Sequence, residues 1–330
     1  MSERNGLRYG LLGLGLILLV GLLTFIATRT AQAPTTDAPA STQLESLAAL
    51  EGQAPSKRTL DIQRWQTAEG ARVLFVEARQ LPMFDLRLTF AAGSSHDDVP
   101  GLATLTNAML NEGVAGKDVT AIAEGFESLG AEFGNGAYRD MAIASLRSLS
   151  APAQREPALK LFEQVVGQPT FPADALARIQ NQLLAGFEYQ KQNPGKLAAL
   201  QLFERLYGKH PYAHPSEGTE QSIPGISVAQ LQAFHQKAYA AGNVVIALVG
   251  DLSRSEAEAI AAEVSAALPK GPALPRIAQP EEPKAGPSHI EFPSNQTHLL
   301  LAQLGVDRRA PDYAALMLGN QILGGGGFGT

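Results

Sequence analysis

The chain has 330 residues, 45% of them hydrophobic, which is enough for a tethering segment, one full-sized domain and part of a second. A formal net charge of −6 gives no electrostatic basis for binding nucleic acid, so nucleic-acid partners are not expected. The absence of cysteine excludes disulfides, thiolate metal sites, a cysteine nucleophile and a lipid-modified amino-terminal cysteine.

The first residues predict export. Residues 10–28 form an uncharged run of 19 residues, which spans about 28 Å as a helix and can just cross a bilayer. Arg4 and Arg8 precede this run and acidic residues follow it, so the rest of the chain is expected outside the cytoplasm. We predict a transmembrane anchor or signal segment over residues 1–29. Cleavage of a signal peptide at the small-residue pattern 31–33 is the alternative and would give a secreted protein.

Two proline-containing stretches divide the remainder of the chain. Residues 30–58 hold prolines among small and polar residues and predict a flexible linker. Residues 269–288 contain six prolines and predict a second linker, between domains. One domain is therefore expected over residues 59–268, and the start of another over residues 289–330.

Within the first domain the hydrophobic pattern changes between the strand period and the helix period. Strands are predicted at residues 71–78, 85–92, 132–138, 141–149 and 243–250. Helices are predicted at about residues 119–129, 152–167, 172–192, 195–207, 228–239 and 255–268. Another helix has Pro100 in its first turn and is expected to end with Gly113 as its C-cap. Paired strands separated by runs of helices indicate an α+β fold with a mixed or antiparallel sheet.

The sequence after the second linker resembles the opening of the first domain. Residues 85–116 and 298–329 align without a gap and share seven identities in 32 positions, among them Leu86 with Leu299 and Leu88 with Leu301. This match predicts two copies of one fold, although any unit of strand, helix and glycine would give a similar pattern. The second copy is too short to bury a core of its own, so we expect it to be truncated.

Several short motifs resemble, in their order, the pitrilysin, insulinase and mitochondrial-processing-peptidase family of zinc metallopeptidases. They are Ala-Gly-Ser at 92–94, Pro-Gly-Leu-Ala at 100–103, Tyr-Gly-Lys-His-Pro-Tyr at 207–212, Phe-His at 234–235, and Val-Gly-Asp at 249–251. The resemblance covers about residues 59–330 and implies the family's peptidase-like α+β domain.

The resemblance also identifies a degenerate zinc motif. Active members carry His-x-x-Glu-His on the helix after Gly-Leu-Ala, where two histidines bind the metal and the glutamate accepts a proton from the bound water. Those positions are Thr104, Asn107 and Ala108 here, and the third ligand, a glutamate on a later helix, aligns with Gly186. Hydroxyl and amide oxygens are poor zinc ligands, and alanine offers no donor atom. We therefore predict no catalytic residue and no metal ligand in this chain, with zinc expected in a partner subunit.

The six histidines do not replace the lost ligands in the sequence. His210 and His214 are expected in a loop because prolines follow both. His96 stands beside two aspartates that favour electrostatics at a helix terminus. His235 is expected to be a packed or capping helix residue. None of them predicts a metal site.

A run of four glycines, Gly324, Gly325, Gly326 and Gly327, is the candidate substrate-binding loop. Glycines expose the backbone and allow an extended peptide to approach closely. The run also resembles the glycine-rich loop of the non-zinc subunit in two-chain family members, where the loop contributes to substrate capture. A flexible helix C-cap is the alternative.

Together these features predict a non-catalytic, peptide-binding subunit of an exported zinc metallopeptidase complex. Its expected partners are a homologous zinc-bearing chain, a peptide or unfolded protein substrate, and the membrane through residues 10–28. Two alternatives stay open: an active metallopeptidase with unconventional ligands, and a structural or assembly subunit of the same fold.

Overall fold

The computed structural model describes residues 60–325. The chain divides into the units Met1–Thr59 and Leu60–Thr330. The predicted anchor at residues 1–29 and the linker at 30–58 lie outside the described residues, as do Gly326 and Gly327. From residue 60 to residue 325, no helix is both long and apolar enough to cross a membrane.

A six-stranded mixed sheet forms the centre of the domain. Its strands are β1 Gln63–Gln66, β2 Arg72–Glu77, β3 Met83–Phe90, β6 Glu132–Ala137, β7 Ala142–Leu149 and β8 Val244–Gly250, while β4 Gly113–Val114 and β5 Lys117–Asp118 form a separate ladder. The strand order is β1-β2-β8-β3-β7-β6, in which β2 and β8 are parallel and the other neighbours are antiparallel.

Helices cover the apolar face of this sheet. The α-helices of the described residues are α1 Leu102–Ala108, α2 Val119–Glu127, α3 Pro152–Gly167, α4 Ala173–Lys191, α5 Pro194–Tyr207, α6 Val228–Ala238, α7 Arg254–Ala267 and α8 Tyr313–Asn320. Strand β3 shows why the sheet has two unlike faces, because Phe84, Leu86, Leu88 and Phe90 are buried whereas Asp85 is exposed. The predicted α+β fold with a mixed sheet is confirmed.

The predicted strands and helices up to residue 268 agree with the structure within a few residues, but the short strands β1, β4 and β5 were not predicted, and β1 belongs to the central sheet. This strand has four residues and no clear apolar alternation. It is held by long-range contacts, since the Arg254 guanidinium lies 3.8 Å from the ring centroid of Trp65 and also donates to Gln63 at 3.0 Å. Contacts between residues so far apart in sequence leave no local pattern.

The predicted role of Gly113 as a C-cap is wrong. Helix α1 ends at Ala108 with Met109 as its C-cap, and Gly113 begins β4. Gly113 is required for space, because a Cβ atom there would lie 2.7 Å from Thr170 Oγ1 and 2.8 Å from Pro172 Cγ. Its carbonyl accepts from Thr170 N–H at 2.9 Å, which brings the two segments together.

Beyond α7 the chain has little regular structure. Residues 269–312 contain no helix or strand, and α8 follows. The helix half of the predicted repeat therefore forms, whereas the strand half does not: Leu299 and Leu301 are 92% and 98% exposed. A helix satisfies its own backbone groups, but a strand needs a neighbouring strand. The second domain stays a prediction.

A half-buried aspartate binds the backbone at the start of helix α1. Asp97 Oδ2 accepts from Gly101 N–H at 2.9 Å, and Asp97 Oδ1 accepts from Ala103 N–H at 2.7 Å. Burial raises the pKa of Asp97 to about 7, although these amide hydrogen bonds favour the ionised form. Asp97 therefore lies at a helix terminus, as predicted, and binds it through hydrogen bonds, whereas the electrostatic role of the cluster stays a prediction.

We expect Asp97→Ala to lower the free energy of unfolding by about 1 kcal/mol at pH 5, because two helix amides lose their acceptor. The folded pKa exceeds the unfolded value, so the contribution of Asp97 is complete below about pH 4 and declines as the pH rises through 7. The difference between wild type and variant should therefore shrink from pH 5 to pH 8 in urea titrations. The exposed neighbour provides the control, since Asp98→Ala should change little at either pH. A difference that grows with pH would contradict the raised pKa.

Candidate functional site

Helix α1 carries three of the four degenerate zinc-motif positions. This helix packs against β6 and α6. Thr104 and Ala108 are four residues apart and lie on the same face of the helix, with Asn107 beside them. The structure therefore brings these three positions together, as the sequence motif requires.

The hydroxyl group of Thr104 is engaged by the protein. Thr104 Oγ1 donates to the Ser216 carbonyl at 2.6 Å, and Ser94 Oγ donates to Ser216 Oγ at 3.1 Å. The first bond attaches the loop around Ser216 to α1, and the second attaches it to the turn at Ser94–His96. The position of the first histidine ligand is thus occupied by a neutral hydroxyl group that acts as a structural donor.

Asn107 occupies the position of the catalytic glutamate and is buried, with 2% of its surface exposed. Its Nδ2 donates to the Ile143 carbonyl on β7 at 3.1 Å and to the Tyr239 hydroxyl at 3.0 Å. Burial raises the pKa of Tyr239, so this phenol stays neutral. The Asn107 amide is a double donor, and it cannot take a proton from a water molecule.

The remaining two positions offer no donor atom. The Ala108 side chain packs against the hydrophobic core. Gly186 lies on α4, and a Cβ atom built there would meet no heavy atom within 4 Å. Glu188 does not replace the lost ligand, because its Oε1 is bonded to Lys191 Nζ at 2.9 Å.

A second link connects α1 to the edge strand β6. Asn135 Nδ2 donates to the Asn107 carbonyl at 2.7 Å, although Asn135 remains exposed. Among the described residues β6 pairs with β7 alone, so its other edge has no strand partner. Sequence reasoning missed this edge. The sequence feature that could have indicated it is the pair Gly134 and Gly136, since glycines within a strand often mark the close approach of another backbone.

The histidines lie where the sequence placed them. His210 is in the loop after α5, where its Nε2 bonds the Ala278 carbonyl at 2.9 Å and its Nδ1 accepts from Tyr212 N–H at 3.2 Å. His235 is buried in α6 with its Nε2 bonded to the Val166 carbonyl at 2.8 Å. Within residues 60–325 no three His, Asp or Glu side chains are grouped so that they could hold a metal ion.

The predicted glycine loop is only partly described. Gly324 and Gly325 follow α8 and are exposed. A Cβ atom on Gly324 would meet no heavy atom within 4 Å, whereas one on Gly325 would lie 2.5 Å from Gln321 Oε1, the end of a flexible side chain. The space for an approaching ligand is therefore present, and the role of the loop in binding stays a prediction.

The donor chemistry of these positions does not fit zinc. Zinc sites in proteins use imidazole, thiolate or carboxylate ligands. The four positions supply a hydroxyl group, a carboxamide, a methyl group and no side chain, and the two polar groups are already bonded within the protein.

Comparison with known proteins agrees with this geometry. Residues 72–220 match the family model described as insulinase (peptidase family M16), and residues 225–329 match the model described as peptidase M16 inactive domain. The second match begins before α6 and includes β8, although β8 lies between β2 and β3 in the central sheet. The boundary between the two models therefore falls inside one structural domain.

A crystal structure of a peptidase M16 inactive domain from Pseudomonas fluorescens is 78% identical to this chain, with a TM-score of 0.81, and the match covers 82% of this chain and 66% of that one. The periplasmic protease PqqL from Escherichia coli shares the fold, at 17% identity and a TM-score of 0.60, over 68% of this chain and 26% of that one.

Among curated relatives, the non-peptidase homolog YmxG from Helicobacter pylori is 27% identical over 54% of this chain, which covers 42% of that relative's length. The chain thus spans less than half of this relative. From the family models, the related structures and the replaced zinc-motif positions, we conclude that the chain belongs to the insulinase family, peptidase family M16, as a member without the family's zinc motif.

Proposed function

We propose that this chain is a non-catalytic, peptide-binding subunit that pairs with a homologous zinc-bearing peptidase chain. The observation that carries this proposal is the bonding of Asn107, whose amide protons are both committed to buried acceptors at the position of the general base. Without a metal ion to lower the pKa of a bound water, these residues generate no nucleophile for a peptide bond. The zinc ion is expected in the partner subunit.

The open edge of β6 is the proposed peptide-binding element. An extended peptide can add to an exposed sheet edge through its main chain, which gives affinity with little sequence preference. Gly134 and Gly136 are half-buried and carry no side chain that could obstruct a peptide, and the exposed Asn135 lies between them. A peptide or an unfolded protein segment is therefore the expected ligand.

Gly324, Gly325, Gly326 and Gly327 are proposed as a second element of peptide capture. A chain without a nucleophile can still accelerate its partner, because holding a peptide in an extended, oriented form lowers the entropic part of the barrier. This chain has the family's fold but lacks its zinc motif, and for that reason a zinc-bearing homologue is the expected partner.

The location of the complex is proposed to be outside the cytoplasm. Residues 10–28 are apolar and follow two arginines, which supports a membrane anchor, and cleavage at residues 31–33 would give a secreted form instead. PqqL, a protein of the same fold, is described as periplasmic.

The first test concerns zinc. Elemental analysis of the full chain, purified without chelator, should find far less than one zinc per chain, because Thr104, Asn107, Ala108 and Gly186 supply no competent ligand. A zinc-bearing homologue, purified in parallel, provides the control. One equivalent of zinc, lost together with a peptidase activity on chelation, would show that the chain is an enzyme with unconventional ligands.

The second test concerns the peptide-binding edge. Excess casein, an unfolded polypeptide, should slow hydrogen exchange of the β6 amides, because strand addition pairs them with a new backbone. The opposite edge strand, β1, is the internal control and should exchange at an unchanged rate. Equal protection of both edges, or of neither, would refute a specific site at β6.

The third test concerns the partner. Adding this chain to the zinc-bearing homologue should raise its turnover of peptides, and Gly325→Val with Gly326→Val should reduce that gain while the complex still forms, since the valine side chains would block the close approach of a peptide backbone. Gly305→Val is the matched control, because Gly305 is also exposed and has open space beside it. A partner that is fully active alone would instead favour an assembly role.

A further inference from the structure

We propose that Asn107 is a positioning residue, which holds the hairpin of β6 and β7 in the form that leaves the β6 edge ready to accept a peptide. The claim that this edge accepts a peptide rests on the proposed function, whereas the restraint of the hairpin by Asn107 depends only on contacts within this chain. The position that serves catalysis in active family members would here serve the binding strand instead.

The side chain of Asn107 is fixed in one orientation by its two acceptors. The Ile143 carbonyl is an acceptor, so the amide nitrogen of Asn107, and not its oxygen, must face it. The second amide proton goes to the Tyr239 hydroxyl. A glutamate at this position would offer no donor and would bring a carboxylate oxygen towards the Ile143 carbonyl. General-base chemistry and this link therefore exclude each other.

The backbone of Asn107 also binds the hairpin. Its carbonyl accepts from Asn135 Nδ2 at 2.7 Å, in addition to Leu110 N–H at 3.2 Å. In the sheet register Ile143 stands opposite Gly136, and Asn135 stands opposite Ala144. One residue of α1 thus bonds both strands of the hairpin at adjacent positions, once through its side chain and once through its main chain.

Strand β6 has little support apart from this link. The strand has one neighbour in the described sheet, and its central residues are Gly134, Asn135 and Gly136. Glycine within a strand lowers its stability, and edge strands exchange their amides readily. The Asn135 side chain ties the middle of β6 to α1 through its bond to the Asn107 carbonyl. Without it the strand would open more often and would present a less ordered edge.

Hydrogen exchange on the full chain without peptide tests the inference directly. Asn135→Ala should speed exchange of the β6 amides about fivefold, the effect of losing one hydrogen bond, with no change in β2. Asn135→Asp has the same shape but cannot donate, so it should behave in the same way. Glu132→Ala is the matched control, since Glu132 is an exposed residue of the same strand, and it should leave the rates unchanged.

Asn107→Ala should speed exchange mainly in β7, because the lost side chain bonds the Ile143 carbonyl there, whereas β6 keeps the bond from Asn135 to the main-chain carbonyl at position 107. If β6 exchanges at the wild-type rate in Asn135→Ala and Asn135→Asp, the positioning role is refuted whatever the peptide data show. If these variants loosen β6 but casein protects no strand in the wild type, the positioning role stands and the proposed peptide-binding function fails. If both effects occur, casein should also protect β6 less in Asn135→Asp than in wild type.

Discussion

The buried amide of Asn107 is the interaction on which this site depends. A buried donor that loses its acceptor carries a desolvation cost of about 1–3 kcal/mol, so both protons of the Asn107 amide must find partners inside the fold. They find Ile143 on β7 and Tyr239 at the end of α6. A single neutral side chain thereby joins a helix, the central sheet and a second helix at the point where active relatives place a charged base.

The short helix α1 is held along its whole length by such polar contacts. Asp97 accepts from amides at its beginning, Thr104 binds the Ser216 loop in its middle, and Asn107 bonds the hairpin near its end. An isolated helix of seven residues has no stability of its own in water, so these contacts together with core packing determine that it forms. Active family members use the same helix to bind a charged metal. This chain uses it to join secondary-structure elements, and the two uses require different side chains.

The sequence predicted most of the sheet and helices because those elements bury one face. The alternation of Leu86, Leu88 and Phe90 and the apolar run of β8 follow from burial against helices, which a local pattern records. The short strand β1 depends instead on Arg254, far along the chain, and the role of Gly113 depends on Thr170 and Pro172. Neither of these long-range contacts produces a periodic pattern in the local sequence, so neither could be predicted from it.

The candidate site shows the same division. Motif spacing located Thr104, Asn107, Ala108 and Gly186 and showed that the zinc ligands are gone. It could not show that Asn107 has acquired structural bonds, because those bonds run to residues 36 and 132 positions away. The loss of a catalytic group can be recognised from the residue type at one position. The gain of a structural role can be recognised only when the fold shows which distant residues that side chain contacts.

Loss of catalysis does not remove the value of this fold to a peptidase. Binding energy accelerates a reaction when it orients the reacting bond, and the chain that supplies the binding energy need not be the chain that holds the metal. A strand edge suits that purpose, because main-chain pairing holds any extended peptide in one direction with few demands on its side chains. The edge must itself be ordered beforehand, since a strand that orders only on binding subtracts its own ordering entropy from the affinity. In this chain α1 provides that order at Asn107, because its main-chain carbonyl binds β6 and its side chain, which replaces the base, binds the neighbouring strand β7.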